Sequence, residues 1–262
     1  MSELVGAGLT ALAIGCFLGA PMILGHGLWR LRRPRLCLTL WYLALAIGVF
    51  SLVGAAVTTV AVGTLALQGT AVSSWPGTTA EILTGWVTLA LLGPVVGIIA
   101  TQAVVLVRAE RVQRMLFERL VAAPGVRIER IDGVPVYIVP SDDLVAVGLR
   151  RRGPRLLVSR GVLDALTAPE VAALVAHEQA HLRGLHDVAL RVAALNLACL
   201  PTHASARALS RSTALLVELA ADRSAAARTT HACTASALRT LATRTTSPAT
   251  ARSLRLRAAL LG

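Results

Sequence analysis

The chain has 262 residues, of which 55% are hydrophobic and only 15% are charged, and its mean hydropathy is +0.67. This composition excludes an ordinary soluble protein and predicts a chain divided between a lipid bilayer and water. The net charge is +12 and every basic residue is arginine, but the arginines gather beside apolar runs without a nucleic-acid-binding motif, so we expect no nucleic-acid partner.

The first part of the chain, residues 1–107, contains three long apolar runs. They cover about residues 4–29, 36–67 and 82–107. Each run exceeds the ~20 residues that an α-helix needs to cross the hydrocarbon core of a bilayer. We therefore predict a membrane region with three transmembrane helices that contact the lipid bilayer.

The charges between these runs predict how the chain crosses the membrane. Segment 30–35 carries four arginines, segment 68–81 carries no positive charge, and arginines return from Arg108 onward. Basic segments stay on the cytoplasmic side of a membrane. The sequence therefore predicts a multi-pass cell-membrane protein with its N-terminus outside and everything after residue 107 in the cytoplasm.

The remaining residues, 108–262, are predicted to form one cytoplasmic domain that contains both strands and helices. Segments 134–139, 145–149 and 155–159 are rich in Val, Ile and Leu and are separated by turn-forming residues. Short segments of this kind predict a small antiparallel sheet.

A helix with well-defined ends is predicted directly after these strands. Thr167 and Glu170 have the spacing of a capping box, and Gly184 provides a stop signal. The stretch His177-Glu178-Gln179-Ala180-His181 therefore lies in the middle of this predicted helix.

The His177 to His181 stretch has the HExxH pattern of zinc-dependent proteases. Histidines four residues apart project from the same face of a helix, so both imidazoles can bind one zinc ion. Glu178 lies beside that ion and is the candidate general base, which takes a proton from a zinc-activated water.

A third zinc ligand is predicted thirty-seven residues after His181. Glu218 and Asp222 are four residues apart in a helical stretch with an apolar face. A catalytic zinc site has three protein ligands, and we assign the third to Glu218. Asp222 is then the partner that accepts a hydrogen bond from the far nitrogen of a ligating histidine.

These two motifs, HExxH and the later ExxxD, resemble those of the integral-membrane gluzincins. That group includes the HtpX-type heat-shock proteases, the CAAX prenyl proteases and the BlaR/MecR-type antirepressor proteases. Segment 154–166 also resembles the edge strand of these proteases and the turn into their active-site helix. The resemblance implies a mainly α membrane protein, in which three transmembrane helices precede a cytoplasmic α+β zincin-like domain. It further implies a protein or peptide substrate lying against that strand.

Several polar residues have no clear role in this scheme. His186 occupies a position where these families usually carry Asp, and we expect a surface histidine there. His203 and His231 are alternative oxyanion donors, and the sequence selects neither. Segment 188–200 predicts a buried or interfacial helix, and segment 234–261 predicts a solvated or membrane-surface helix.

The leading hypothesis is a zinc metalloendopeptidase of the membrane that carries out regulatory proteolysis or membrane protein quality control. A catalytically silent signalling or scaffold protein that keeps the zinc fold is the alternative. A nucleic-acid-binding membrane protein is the third hypothesis, prompted by the charge alone. The sequence leaves the oligomeric state open.

Overall fold

The chain is described here by a computed structural model that covers residues 2–67, 75–150 and 154–261. Within these ranges it is mostly helical, with ten helices and one four-stranded sheet. The helices are α1 (Ser2–Leu24), α2 (Trp29–Arg32), α3 (Pro34–Leu67), α4 (Trp75–Val121), α5 (Arg160–Ala165), α6 (Ala168–Arg183), α7 (His186–Cys199), α8 (Ala204–Arg228), α9 (His231–Arg244) and α10 (Pro248–Ala259). The strands are β1 (Arg127–Ile131), β2 (Val134–Val139), β3 (Ala146–Arg150) and β4 (Pro154–Ser159).

The chain divides into two compact units. The first comprises Met1–Arg30, Leu36–Leu106 and Ala193–Ser212. The second comprises Leu31–Arg35, Val107–Val192 and Thr213–Gly262.

Three of the described helices are long and apolar enough to cross a membrane, by length and composition. The segments concerned are Leu4–Leu24, Pro34–Leu65 and Trp86–Val121. Their large apolar side chains are widely exposed, and Phe50, for example, is 75% exposed. An exposed apolar surface of this extent is unfavourable in water and favourable in lipid. The prediction of three apolar helices before the HExxH and ExxxD motifs is confirmed. These helices indicate that the protein associates with a membrane.

The ends of these helices differ from the predicted spans. Helix α1 ends at Leu24 rather than at residue 29, because the chain turns through Gly27, whose φ is +89°. Helix α4 begins at Trp75 and continues without interruption to Val121, so the third span and the Arg-rich helix after it are one element. Part of the predicted outer segment, residues 68–74, lies outside the described residues.

The sheet begins with a hairpin that the sequence analysis missed. Strands β1 and β2 are antiparallel and are joined by Asp132 (φ +49°) and Gly133 (φ +77°). Two consecutive residues with positive φ make the turn that suits a tight hairpin, and Asp-Gly favours it. The Asp132-Gly133 pair was therefore the signal that predicts β1.

The sheet is mixed, so the prediction of an antiparallel sheet is wrong in one pairing. The strand order is β1-β2-β4-β3, in which β2 and β4 are parallel and β3 and β4 are antiparallel. Strand β3 therefore forms the edge of the sheet, and β4 lies inside it. The expected edge strand at residues 154–159 is thus wrong, because β3 takes that place.

The core of the second unit lies between the sheet and helices α5, α6 and α9. It is formed by a cluster of buried apolar side chains: Val136, Leu156, Val158, Val162, Leu166, Val171, Val175 and Ala237. Helix α6 has the predicted capping box, in which the Glu170 carboxylate accepts a hydrogen bond from the Thr167 backbone N–H at 2.9 Å. The cap and the core together hold α6 in place.

The C-terminal segment is folded against the rest of the second unit. Helix α9 packs on α6, and α10 packs on α9. Ala258 and Leu261 belong to a buried apolar cluster with α9 residues. The expected solvated or membrane-surface helix over residues 234–261 is therefore wrong. Segment 188–200, in contrast, is helical as predicted, and its Val188 and Leu190 side chains are exposed.

Candidate metal centre

Helix α6 presents the two histidines of the HExxH motif side by side. Nε2 of His177 lies 3.1 Å from Nε2 of His181. The His177 residue is only 8% exposed. A helical turn accounts for this arrangement, since residues four apart lie one above the other.

Helix α8 brings Glu218 to the same point. One carboxylate oxygen of Glu218 lies 3.6 Å from His177 Nε2, and the other lies 3.5 Å from His181 Nε2. The three ligand atoms of this cluster are all within 4.8 Å of one another.

The cluster has the chemistry and the size of a zinc site. Two imidazole nitrogens and one carboxylate oxygen form a His₂Glu set, which leaves a fourth position open as catalytic zinc sites require. Two donors bound to one tetrahedral zinc ion are about 3.3 Å apart, given bond lengths of about 2.0–2.1 Å. The two imidazole nitrogens are 3.1 Å apart, and each lies 3.5–3.6 Å from one of the two oxygens of Glu218. With a single oxygen counted for Glu218, all three ligand atoms lie within 4.8 Å of one another, so the residues present fit the metal.

Asp222 holds the far side of His177. Its Oδ1 lies 2.9 Å from His177 Nδ1, and the residue is 1% exposed. An acceptor at Nδ1 keeps the proton on that nitrogen and leaves Nε2 free for a metal. The structure thus brings together the five site residues that the sequence predicts: His177, Glu178, His181, Glu218 and Asp222.

Arg257 completes the centre and was missed by the sequence analysis. Its Nε and Nη2 donate to the two carboxylate oxygens of Asp222 at 2.7 and 2.6 Å. Its Nη1 lies 2.7 Å from Glu218 Oε2. Burial opposes ionisation of Asp222, but the hydrogen bonds from Arg257 and His177 outweigh it and lower the pKa of this carboxyl. One guanidinium therefore orients both carboxylates of α8.

The sequence contained one sign of this role. Ala251, Leu254, Ala258 and Leu261 recur at helical spacing, and Arg257 lies within that apolar stripe. A charged residue on the buried face of a helix requires a buried partner of opposite charge.

Glu178 points toward strand β3 at the edge of the sheet. The backbone N–H of Gly148 donates to Glu178 Oε2 at 3.0 Å. Burial raises the pKa of Glu178, although His177 and the Gly148 hydrogen bond oppose the rise. Gly148 also permits this approach, because a Cβ there would lie 3.2 Å from Leu182 Cγ and 3.3 Å from Leu156 Cδ2.

A cavity of about 230 Å³ opens beside His177 and Glu178. Its polar end carries His177, Glu178 and Glu218 together with Arg257. Its apolar wall is formed by side chains from the β2–β3 loop, β3, α5, α6, α9 and α10: Leu144, Ala146, Val162, Ala173, Leu174, Ala237, Leu238, Leu241 and Leu254. The arrangement can accept an apolar side chain next to a cluster of acid–base groups.

Three further histidines were considered in the sequence: His186, His203 and His231. His186 is 5% exposed, and its Nδ1 lies 3.2 Å from Nδ1 of His181, so the expectation of a surface histidine is wrong. His203 bonds to the Ser205 hydroxyl, and His231 bonds to the Leu261 carbonyl. Neither of these two is among the residues that line the cavity.

Comparison with known proteins gives one match. A family model described as Peptidase family M48 matches residues 107–254, which is more than half of the chain. The matched segment contains the HExxH motif, Glu218 and Asp222, and it ends before Arg257. No curated protein and no solved structure matches the chain.

Proposed function

Because the chain belongs to peptidase family M48, a family of metal-dependent peptidases, we propose that it is a zinc-dependent endopeptidase of the membrane. The observation that carries this proposal is the cluster of His177, His181 and Glu218, whose ligand atoms lie within 4.8 Å of one another beside Glu178. These three residues would hold one zinc ion. Bound there, zinc would supply Lewis acidity to a water molecule and to the substrate carbonyl.

The remaining groups of the site then have separate tasks. Glu178 is the general base, which accepts a proton from the attacking water and delivers it to the departing amine. Burial raises the pKa of Glu178, which makes its carboxylate a stronger base than that of an exposed glutamate. Asp222 accepts the hydrogen bond from His177 Nδ1 and is itself held by Arg257.

The shape of the site supports a protein or peptide substrate. Strand β3 is the edge of the sheet and approaches the general base through Gly148, so an extended peptide can lie beside it. The cavity next to Glu178 is lined mostly by apolar side chains. We therefore expect cleavage next to a residue with an apolar side chain.

The site is proposed to face the cytoplasm, with residues 1–107 as the membrane region and residues 108–262 as the peptidase domain. Residues Leu31–Arg35, where α2 ends and α3 begins, belong to the same compact unit as the HExxH motif and Glu218. Within that unit, Arg223 Nη2 donates to the Leu31 carbonyl at 2.7 Å. The positive-inside rule assigns this arginine-rich segment to the cytoplasm, and the same side is inferred for the site.

Replacing Glu178 by Gln tests the proposal directly. We expect the rate of peptide hydrolysis to fall by about 10²–10⁴-fold, because the general base is lost. Zinc binding should remain, since Glu178 is not among the three clustered ligands. Glu129→Gln, on the exposed strand β1, is the matched control and should retain full activity.

The outcomes separate the competing functions. Undiminished hydrolysis by zinc-loaded Glu178→Gln would contradict the proposed mechanism. A wild type that holds zinc but cleaves no member of a peptide library would favour the silent scaffold protein.

The biological role is proposed to be regulatory proteolysis or quality control of membrane proteins. Proteins that accumulate uncut in cells carrying Glu178→Gln, compared with wild-type cells, would identify the substrates. Accumulation of misfolded membrane proteins favours quality control, whereas accumulation of one intact regulator favours regulation.

A further inference from the structure

The turn between α6 and α7 brings His186 against His181 of the candidate metal centre. Helix α6 ends at Arg183, and the chain reverses through Gly184 and Leu185 before His186 begins α7. Leu185 has a φ of +52°, a left-handed conformation that is uncommon for residues other than glycine. Such a conformation is retained where the surrounding structure requires it.

The result of this turn is a close contact between two imidazoles. His186 Nδ1 lies 3.2 Å from His181 Nδ1, the ring centroids are 4.9 Å apart, and the ring planes are nearly perpendicular. The opposite nitrogen of His181, Nε2, faces His177 Nε2 and Glu218. His181 therefore has one nitrogen toward the ligand cluster and one toward His186.

We propose that His186 is a positioning residue for the zinc ligand His181, an inference that rests on the proposed function. A metal at His181 Nε2 requires the lone pair on that nitrogen, so the ring proton must be on Nδ1. That N–H then donates to Nδ1 of His186, which must be the unprotonated nitrogen of a neutral imidazole. His186 thus serves His181 as Asp222 serves His177, with an imidazole in place of a carboxylate.

Gly184 is the residue that makes room for this ring. A Cβ at position 184 would lie 2.6 Å from Cδ2 of His186, well inside van der Waals contact, and 3.0 Å from the carbonyl oxygen of Ala180. The φ of Gly184 is −77°, which any residue can adopt. The His186 ring therefore approaches position 184 more closely than a Cβ would allow, whereas the φ of this residue does not itself require glycine.

The inference is tested by measuring zinc affinity in competition with a chelator, using full-length protein in detergent. His186→Leu removes the acceptor and should raise the zinc dissociation constant by about 10–100-fold. His186→Asn should stay close to wild type, because its carbonyl oxygen can accept the same hydrogen bond. His203→Leu, at an exposed position outside the cavity lining, is the matched control and should bind zinc as the wild type does.

Further measurements separate positioning from simple packing. Both zinc-free variants should unfold cooperatively on heating, which shows that a loss of zinc affinity in His186→Leu does not come from unfolding. Gly184→Ala should weaken zinc binding in the wild-type background and much less in His186→Leu, where no imidazole is displaced.

Two results would overturn the inference while leaving the proposed function intact. The first is that the wild type and His186→Leu bind zinc with the same affinity. The second is that His186→Leu and His186→Asn lose the same amount of zinc affinity relative to the wild type. A wild type that binds no zinc would overturn the inference and the proposed function together.

Discussion

His181 shows how strongly the centre depends on the ionisation of single residues. Burial lowers the pKa of His181 to about 3, and the neighbouring His177 and His186 act in the same direction. The folded chain therefore keeps this imidazole neutral, as a zinc ligand must be.

This shift predicts how the stability of the zinc-free protein depends on pH. The ordinary pKa of the His181 imidazole is 6.5, so between 6.5 and about 3 the unfolded chain binds a proton that the folded chain does not. Stability is therefore lost as the pH falls below 6.5. At about pH 5.5 the loss should be on the order of 1 kcal/mol relative to about pH 7.5.

Urea unfolding of EDTA-treated protein at the two pH values measures this effect. The His181→Gln variant should lose less stability than the wild type on acidification, because it lacks the titrating group. Equal losses in the two proteins would contradict the assignment of the shift to His181. His203→Gln, at an exposed position, should behave as the wild type does.

At the scale of elements, the centre is assembled from three helices that come from distant parts of the chain. Helix α6 supplies His177, His181 and the proposed general base Glu178, α8 supplies Glu218 and Asp222, and α10 supplies Arg257. Apolar packing of α10 on α9 brings Arg257, which is 7% exposed, to its two carboxylates. The orientation of Glu218 and Asp222 therefore depends on the packing of α10 against α9.

Replacing Arg257 by Leu should destabilise the protein. The change leaves Asp222, which is 1% exposed, without its charged partner. Removing one member of a buried ion pair costs about 3–5 kcal/mol, which unfolding by urea or heat in detergent would detect. Zinc binding should also weaken, because Glu218 and Asp222 lose the group that orients them.

The same helix offers a matched control for this change. Arg255 is exposed on α10, and Arg255→Leu should alter stability by less than about 0.5 kcal/mol. Equal effects of the two substitutions would contradict the role assigned to Arg257. Arg257→Lys should recover only part of the loss, since an ammonium cannot bond both Asp222 oxygens in the same planar geometry.

At the scale of the whole molecule, the orientation of the chain in the membrane determines on which side the candidate site can bind a substrate. The three apolar helices and the arginine-rich segment 30–35 predict that the peptidase motifs face the cytoplasm. Only substrates with a segment exposed on that side could then reach the site.

Thiol labelling in intact cells tests this orientation. In a variant whose four free cysteines are replaced by Ser, Ser73→Cys should react with a membrane-impermeant reagent. Ser253→Cys, at an exposed position of α10, should react only after the membrane is permeabilised. The reverse pattern would contradict the predicted orientation.

Local features of this protein could be predicted from the sequence because short-range physics controls them. The spacing of His177 and His181 follows the helical repeat, and the Thr167 capping box marks where that helix begins. The three apolar runs stand out because each is long enough to cross the hydrocarbon core of a bilayer. For Glu218 and Asp222, the four-residue spacing was weak by itself and became informative because it follows His181 by thirty-seven residues in a chain with only 14 acidic residues.

The tertiary structure alone decided which distant groups meet. Arg257 is thirty-five residues from Asp222, and in sequence it is one of 26 arginines with nothing local to distinguish its partner. The parallel pairing of β2 with β4, and the contact of His186 with His181, likewise depend on how complete elements pack. Hydropathy and helical spacing depend on residues that are close together in sequence. Buried ion pairs and strand order are determined only when elements from distant parts of the chain pack together in the core.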